Sequence, residues 1–158
     1  AIVERFTPYK EYGDRFLVSV CADKSEIEAN TRAAKVLLDS FPDMKMKITP
    51  HILKYYKKNP EYEINGLTAD RRGIEGEDGV SSGFNKGIKQ TCRIIVLDLD
   101  ANMSDKPMRY NSLAKNLSFR YADFKNDVIV GCYVIYHGKS VLIDKSHFSA
   151  RIDGEIKS

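Results

Sequence analysis

The spacing of apolar and polar residues changes several times along this chain, and each change predicts an element. Residues 1–14, with Pro8, Gly13 and scattered charges, read as an irregular lead-in, whereas Phe16-Leu17-Val18-Ser19-Val20 is a strand pattern. Ser25 with Glu28 three residues later forms a capping-box signal. Ile27, Ala34, Leu37, Leu38 and Phe41 then recur at helical spacing until Pro42 stops the helix. Met44, Met46 and Ile48 alternate with lysines as a half-buried strand closed by Pro50. Further on, Ser81 or Ser82 caps a helix whose inner stripe is Phe84, Ile88 and Thr91. Arg93 to Leu99 is nearly continuous β-branched and apolar sequence, the signature of a central strand covered on both faces. Leu113, Leu117 and Tyr121 or Phe124 predict a covering helix over Asn111 to Asp123. Asp127 to Tyr136 and Val141 to Asp144 predict an antiparallel pair turning at His137-Gly138-Lys139, and the tail from residue 147 to 158 is polar. Helices alternating with strands in this order predict an α/β fold, a three-layer sandwich on a mixed sheet, as a single domain over residues 1–158.

Between these elements lies the stretch that carries chemistry. Asn65-Gly66, flanked by short alternating runs, predicts a two-residue type I′ turn, because that turn needs positive φ at both central residues. The register is then fixed: Ile64 faces Leu67, Glu63 faces Thr68, and Glu61 faces Asp70. Alternation puts Tyr62, Ile64, Leu67 and Ala69 on a core face, expected to share one core with Ile95, Leu97 and Leu37. Glu61, Glu63, Thr68, Asp70 and Arg72 fall on the other face. Two carboxylates with Cβ atoms roughly 5 Å apart repel unless a cation intervenes. Either a divalent metal or a neighbouring arginine answers that repulsion. Arg72 is expected to point past the pair toward Lys86, Lys89 and Gln90, which share one face of the following helix. The glycines at 83 and 87 weaken that helix but allow close approach to the sheet or to substrate.

Composition adds less. The chain has 158 residues, 42% hydrophobic and 30% charged, with a net charge of +3, which permits a phosphate-bearing partner without demanding one. Three cysteines, Cys21, Cys92 and Cys132, form no C-x-x-C pair and read as buried thiols. No apolar run approaches the ~18 residues of a membrane span, and no signal-peptide pattern opens the chain, so a soluble piece is expected. The segment from His51 to Lys58 interleaves Lys54, Lys57 and Lys58 with Tyr55 and Tyr56. It reads either as a phosphate-gripping surface that stacks bases or as a half-buried connector with snorkelling lysines. Gly73 to Gly79, glycine-rich and acidic, reads as a loop beside the site; it lacks the Gly-Lys-Ser/Thr end of a P-loop.

Taken together, Asn59-Pro60-Glu61, Asn65-Gly66, Ala69-Asp70-Arg71-Arg72, Asn85-Lys86-Gly87-Ile88-Lys89-Gln90 and the strand Ile94 to Leu99 resemble a known family. It is the C-terminal nuclease domain of contact-dependent growth inhibition toxins, and the resemblance covers roughly residues 25–100. Arg72 stands where the family's acid-x-Lys motif carries lysine, keeping the charge but not the compact ammonium. The resemblance implies a restriction-endonuclease-like (PD-(D/E)xK) core and a metal-dependent endonuclease acting on tRNA or DNA. It implies Mg²⁺ or Mn²⁺ at Glu61 and Asp70, with Glu28 on the first helix as a further ligand or base. Arg72, Lys86, Lys89 and Gln90 then serve the phosphate. It further implies an immunity protein as partner and action in the cytoplasm, as part of a larger secreted or cell-surface delivered protein. Two other readings remain beside it. In one, Arg72 replaces the metal and the domain only binds nucleic acid or a protein. In the other, His51, His137 or His147 runs a metal-free ribonuclease.

Overall fold

The computed structural model describes residues 5–51, 59–74, 78–101 and 110–148. Its elements are β1 (Phe6–Tyr9), β2 (Gly13–Ser19), α1 (Ile27–Ser40), β3 (Met46–Ile48), β4 (Tyr62–Ile64), β5 (Leu67–Gly73), α2 (Asp78–Lys89), β6 (Ile94–Asp98), α3 (Tyr110–Ser118), α4 (Tyr121–Lys125), β7 (Gly131–Tyr136) and β8 (Lys139–Ile143). Among the described residues the strands lie side by side in chain order as one eight-stranded sheet. The β2–β3, β5–β6 and β6–β7 pairs are parallel and the other neighbours antiparallel, so the sheet is mixed.

Helices cover both faces, which makes three layers. Strand β6 is buried throughout because its two sides serve two cores. Ile94 and Val96 join Phe16, Met46, Tyr62, Ile64, Ala69 and the α1 residues Ala33, Ala34, Leu37 and Leu38. Ile95 and Leu97 join Val80 and Phe84 of α2, Leu113 and Leu117 of α3, and Phe124 of α4. The single core expected for Tyr62, Ile64, Leu67, Ile95, Leu97 and Leu37 is therefore split by the sheet. Leu67, beside the turn, is 38% exposed. Both ends of the sheet reach the end of α1. From β2, the Arg15 guanidinium donates to the Leu38 and Phe41 carbonyls at 2.8 and 3.0 Å, and from β8 the Ser140 N–H donates to Ser40 Oγ at 3.1 Å. The sheet curls around this helix, and Arg15 satisfies carbonyls that a helix end leaves without partners.

Several local expectations change. The lead-in is no irregular segment from residue 6 onward: β1 pairs with β2, with Pro8 on the edge strand, where its missing N–H costs no ladder bond. The Ser25–Glu28 capping box does not form. Ser25 instead donates from N and Oγ to Asp23 Oδ1, at 2.9 and 2.6 Å, and the helix starts from Glu26 without a side-chain cap. Helix α2 is already formed at Asp78, so Ser81 and Ser82 lie inside it, and Thr91, at φ 62°, follows its end. The helix expected over 111–123 is two, α3 and α4. Of the polar tail, residues 149–158 lie outside the described residues, and Phe148 is buried against Phe124 and Tyr121. Cys92 and Cys132 are buried as expected, but Cys21 is exposed. The β7–β8 turn holds His137 and Gly138 at φ 51° and 73°, and their N–H groups donate to Asp100 at 2.8 Å each. No described helix is long and apolar enough to cross a membrane.

Candidate functional site

The hairpin forms as the turn chemistry requires. Asn65 and Gly66 take φ 48° and 87°, and β4 pairs with β5 as Ile64↔Leu67, Glu63↔Thr68 and Tyr62↔Ala69. Strand β4 starts at Tyr62 while β5 runs on to Gly73, so Asp70 to Gly73 keep β6 on one side and lose β4 on the other. A cleft of about 500 Å³ opens where the ladder stops. Its rim includes Thr49, His51 and Pro60, its floor Glu61, Asp70, Arg71 and Arg72, and its walls Glu26 and Asn30 on one side and Ser82, Gly83, Lys86 and Gln90 on the other.

Glu61 and Asp70 meet there. Asp70 is 2% exposed and accepts hydrogen bonds from the Glu61 backbone N–H and the Glu61 side chain. Burial first, and the Asp70 charge second, push the Glu61 carboxyl up to about 8. Asp70 is raised as well, by burial, against the pull of Arg72. The ionisation of each carboxyl depends on the other, so the two titrate as a pair and not independently. Glu61 Oε2 is buried and has no partner. Cys92, beneath the pair, is pushed up to about 12 by burial and then by Asp70 and Glu61, so it is an inert thiol.

Arg72 does not point past the acids as expected: its Nη2 donates to Asp70 Oδ2 at 2.8 Å. Proximity decides this. A guanidinium on the same face as a nearly buried carboxylate gains a charge-assisted bond that the water-exposed lysines of α2 cannot match. The bond takes one oxygen of one acid, and Arg72 Nε remains buried without a partner. Helix α2 can lie this close because of its glycines. A Cβ at Gly83 would meet Arg72 Cγ at 3.0 Å, and one at Gly87 would run into Ile95 Cδ1 and approach Asp70 Cβ to 3.9 Å.

Arg71 points through the sheet to the α1 face. It donates from Nε to Asn30 Oδ1 at 2.8 Å, from Nη1 to Asp98 Oδ2 at 3.1 Å and from Nη2 to Glu26 Oε2 at 3.0 Å. Arg32 also pairs with Asp98 Oδ2. The helix acid that reaches the cleft is thus Glu26; Glu28, the expected one, is exposed on α1 and does not line it. A helix beginning at Ile27 projects Glu26 toward β5 from its start, whereas Glu28 belongs to the solvent side. Sequence reasoning missed Glu26, Asn30, Arg71 and Asp98. The available signals were alternation along Asp70-Arg71-Arg72, which sends the middle residue to the opposite face, and a lone acid closing the apolar run Ile94 to Leu97.

Of the expected cations, Lys86 lines the cleft and Lys89 does not. Gln90 lines it and accepts from the Asn59 N–H at 2.9 Å. Lys54, Lys57 and Lys58 lie outside the described residues. His51 lines the rim with Nδ1 3.9 Å from Asp23 Oδ2, while His137 is in the β7–β8 turn and His147 pairs with Asp144 at 3.1 Å. The histidines do not converge on one site.

No group of three or more metal-ligating side chains is found among the described residues. What converges is a two-carboxylate set, with Glu26 at the wall. Its chemistry fits a hard, oxygen-seeking dication that uses one or two carboxylates and keeps its remaining water, and the unpartnered Glu61 Oε2 fits a coordinating role. Comparison with family models, curated proteins and solved structures finds no significant match to this chain.

Proposed function

We propose that the chain is a divalent-metal-dependent endonuclease with a restriction-endonuclease-like core, hydrolysing phosphodiester bonds of tRNA or DNA. The observation that carries the reading is the Glu61–Asp70 pair: two adjoining carboxyls, one with an unpartnered buried oxygen, at the floor of a polar cleft. The succession α1-β3-β4-β5-α2-β6, with one acid just before β4 and the other on β5, supports the core assignment.

Glu61 and Asp70 would hold Mg²⁺ or Mn²⁺, which when bound supplies a Lewis acid that activates water and offsets the charge of the phosphodiester. The chain's own residues do the rest. Arg72 keeps one Asp70 oxygen in place and favours its ionised form, leaving the other oxygen and Glu61 for coordination. Lys86, on the α2 wall, meets a phosphate oxygen and stabilises charge developing there. Arg71 pins Glu26, and with it the start of α1, against β5 and β6. On the same reading the domain is a toxin acting in the cytoplasm, delivered by a larger protein and neutralised by an immunity partner.

The test is incubation with mixed tRNA and plasmid DNA in Mg²⁺ or in EDTA. Cleavage in Mg²⁺, its loss in EDTA and a fall of about 100-fold or more in Asp70→Asn are expected, the scale of losing one electrostatic contributor to a transition state. No cleavage in Mg²⁺ or Mn²⁺ overturns the reading. One observation favours a second function. The Arg72–Asp70 bond puts a guanidinium where the family pattern has a lysine, and a cation that fills the metal's place leaves a module that binds nucleic acid or protein without cutting.

A further inference from the structure

We propose that the cleft admits a single-stranded or extruded nucleotide segment and excludes an intact duplex, an inference that rests on the hydrolase reading. The reacting groups are recessed. Asp70 is 2% exposed, and neither Glu61 Oε2 nor Arg72 Nε touches solvent. A phosphodiester must therefore descend between the α1 wall and the α2 wall to reach them.

The descent is braced beside the floor. The Thr49 N–H donates to the Glu61 carbonyl at 3.1 Å and the Asn59 N–H to Gln90 Oε1 at 2.9 Å, tying the β3 and β4 segments to each other and to α2 beside the floor. About 500 Å³ holds a segment of one or two nucleotides, the lower part of the range for small-ligand sites. A duplex is a stiff rod whose phosphates follow its convex surface. Enzymes that act at the bottom of a pocket take single strands or extrude the nucleotide.

Charge points the same way. Arg71 has every nitrogen committed to Glu26, Asn30 or Asp98, and Arg72 is bonded to Asp70. Lys86 is left as the cleft cation open to a ligand among the described residues. Proteins that grip duplex DNA commonly neutralise about 6 to 10 phosphates. One or two contacts, the number offered among the described residues, suit a short flexible strand, which brings its phosphate to the floor by bending.

The test uses the full chain with labelled single-stranded RNA, single-stranded DNA of matched sequence, and the corresponding duplexes. Binding is read by anisotropy in EDTA across a salt series, and cleavage in Mg²⁺ and Mn²⁺. Single strands of at least one sugar type are expected to bind and to be cut at least about tenfold better than their duplexes, with a log–log salt slope of about −1 to −2. The RNA and DNA arms identify the sugar. Duplexes bound and cut as well as single strands overturn the inference and leave the hydrolase reading standing. A single-strand binding preference without cleavage of any substrate keeps the inference for a binding module and sinks the hydrolase; no binding of any strand overturns both.

Discussion

Arg71 and Arg72 are adjacent on one strand and serve opposite faces of the sheet. On the α1 face, Arg71 has all three guanidinium nitrogens bonded, and Arg71 and Arg32 balance Glu26 and Asp98. On the α2 face, Arg72 makes one bond and keeps a buried Nε without a partner, beside a Glu61 oxygen in the same condition. Buried polar groups are normally satisfied, and each exception calls for an explanation. The α1 face has its own exception in Asp98 Oδ1, but that carboxylate already accepts two arginines through Oδ2. The nearly satisfied network holds the fold, and on the proposed reading the unpartnered Glu61 oxygen on the other face is the atom left for a cation.

The sharpest way to break this contrast is to remove each arginine in turn. Arg71→Met should cost roughly 3 to 5 kcal/mol in urea denaturation, because it strands buried Asp98 against a single remaining partner. Arg72→Met should cost far less, since Asp70 can relieve its burial by taking up a proton. Equal losses would dissolve the distinction. Leu97→Ala, which empties a fully buried site in the α2-side core, provides the scale at roughly 2 to 5 kcal/mol.

A pH series sharpens the same point. The Glu61 carboxyl is held at about 8 in the folded chain against 4.5 for a free glutamate, so the unfolded state loses its proton first. The stability that the protonated carboxyl contributes is fully present below about pH 4.5. It drains away as pH rises toward 8, by an amount on the order of 5 kcal/mol. Glu61→Gln should flatten this decline in EDTA and be the more stable protein at pH 8. An unchanged decline would mean that Glu61 is not the group responsible.

Smaller effects are expected at the helix α2 contact. Gly87→Ala drives a methyl into Ile95 and should cost about 1 to 3 kcal/mol, partly offset by the better helix propensity of alanine. Gly83→Ala meets the Arg72 stem at Cγ and Cβ, 3.0 and 3.2 Å away, with Leu97 Cδ2 in ordinary contact at 3.7 Å, and should be within about 1 kcal/mol of wild type by thermal unfolding.

The hairpin was legible because Asn65-Gly66 leaves one turn type and one register, and the register alone brought Glu61 to Asp70. The continuous run of β6 announces cover on both faces, and alternation within it separates Ile95 and Leu97 from the core that holds Tyr62 and Ile64. The β1–β2 pair was hidden because Thr7-Pro8 and Gly13 break alternation on an edge strand, where pairing depends on the neighbouring strand. Glu26 was displaced to Glu28 because a capping pattern is a local preference. Here Asp23 outcompetes the helix for Ser25, while Arg71 from another strand draws in Glu26. The Arg72–Asp70 bond depends on how deeply Asp70 is buried, which the spacing of residues does not reveal.

The central claim is that Glu61 and Asp70 form a cation site that Arg72 narrows without filling. Calorimetric titration of Mg²⁺ and Mn²⁺ into the wild type, Asp70→Asn and Arg72→Lys tests it most directly. Binding by the wild type at or below millimolar concentration, lost in Asp70→Asn and kept or strengthened in Arg72→Lys, is the expected result. Absence of binding by the wild type at millimolar metal, or undiminished binding by Asp70→Asn, would contradict it.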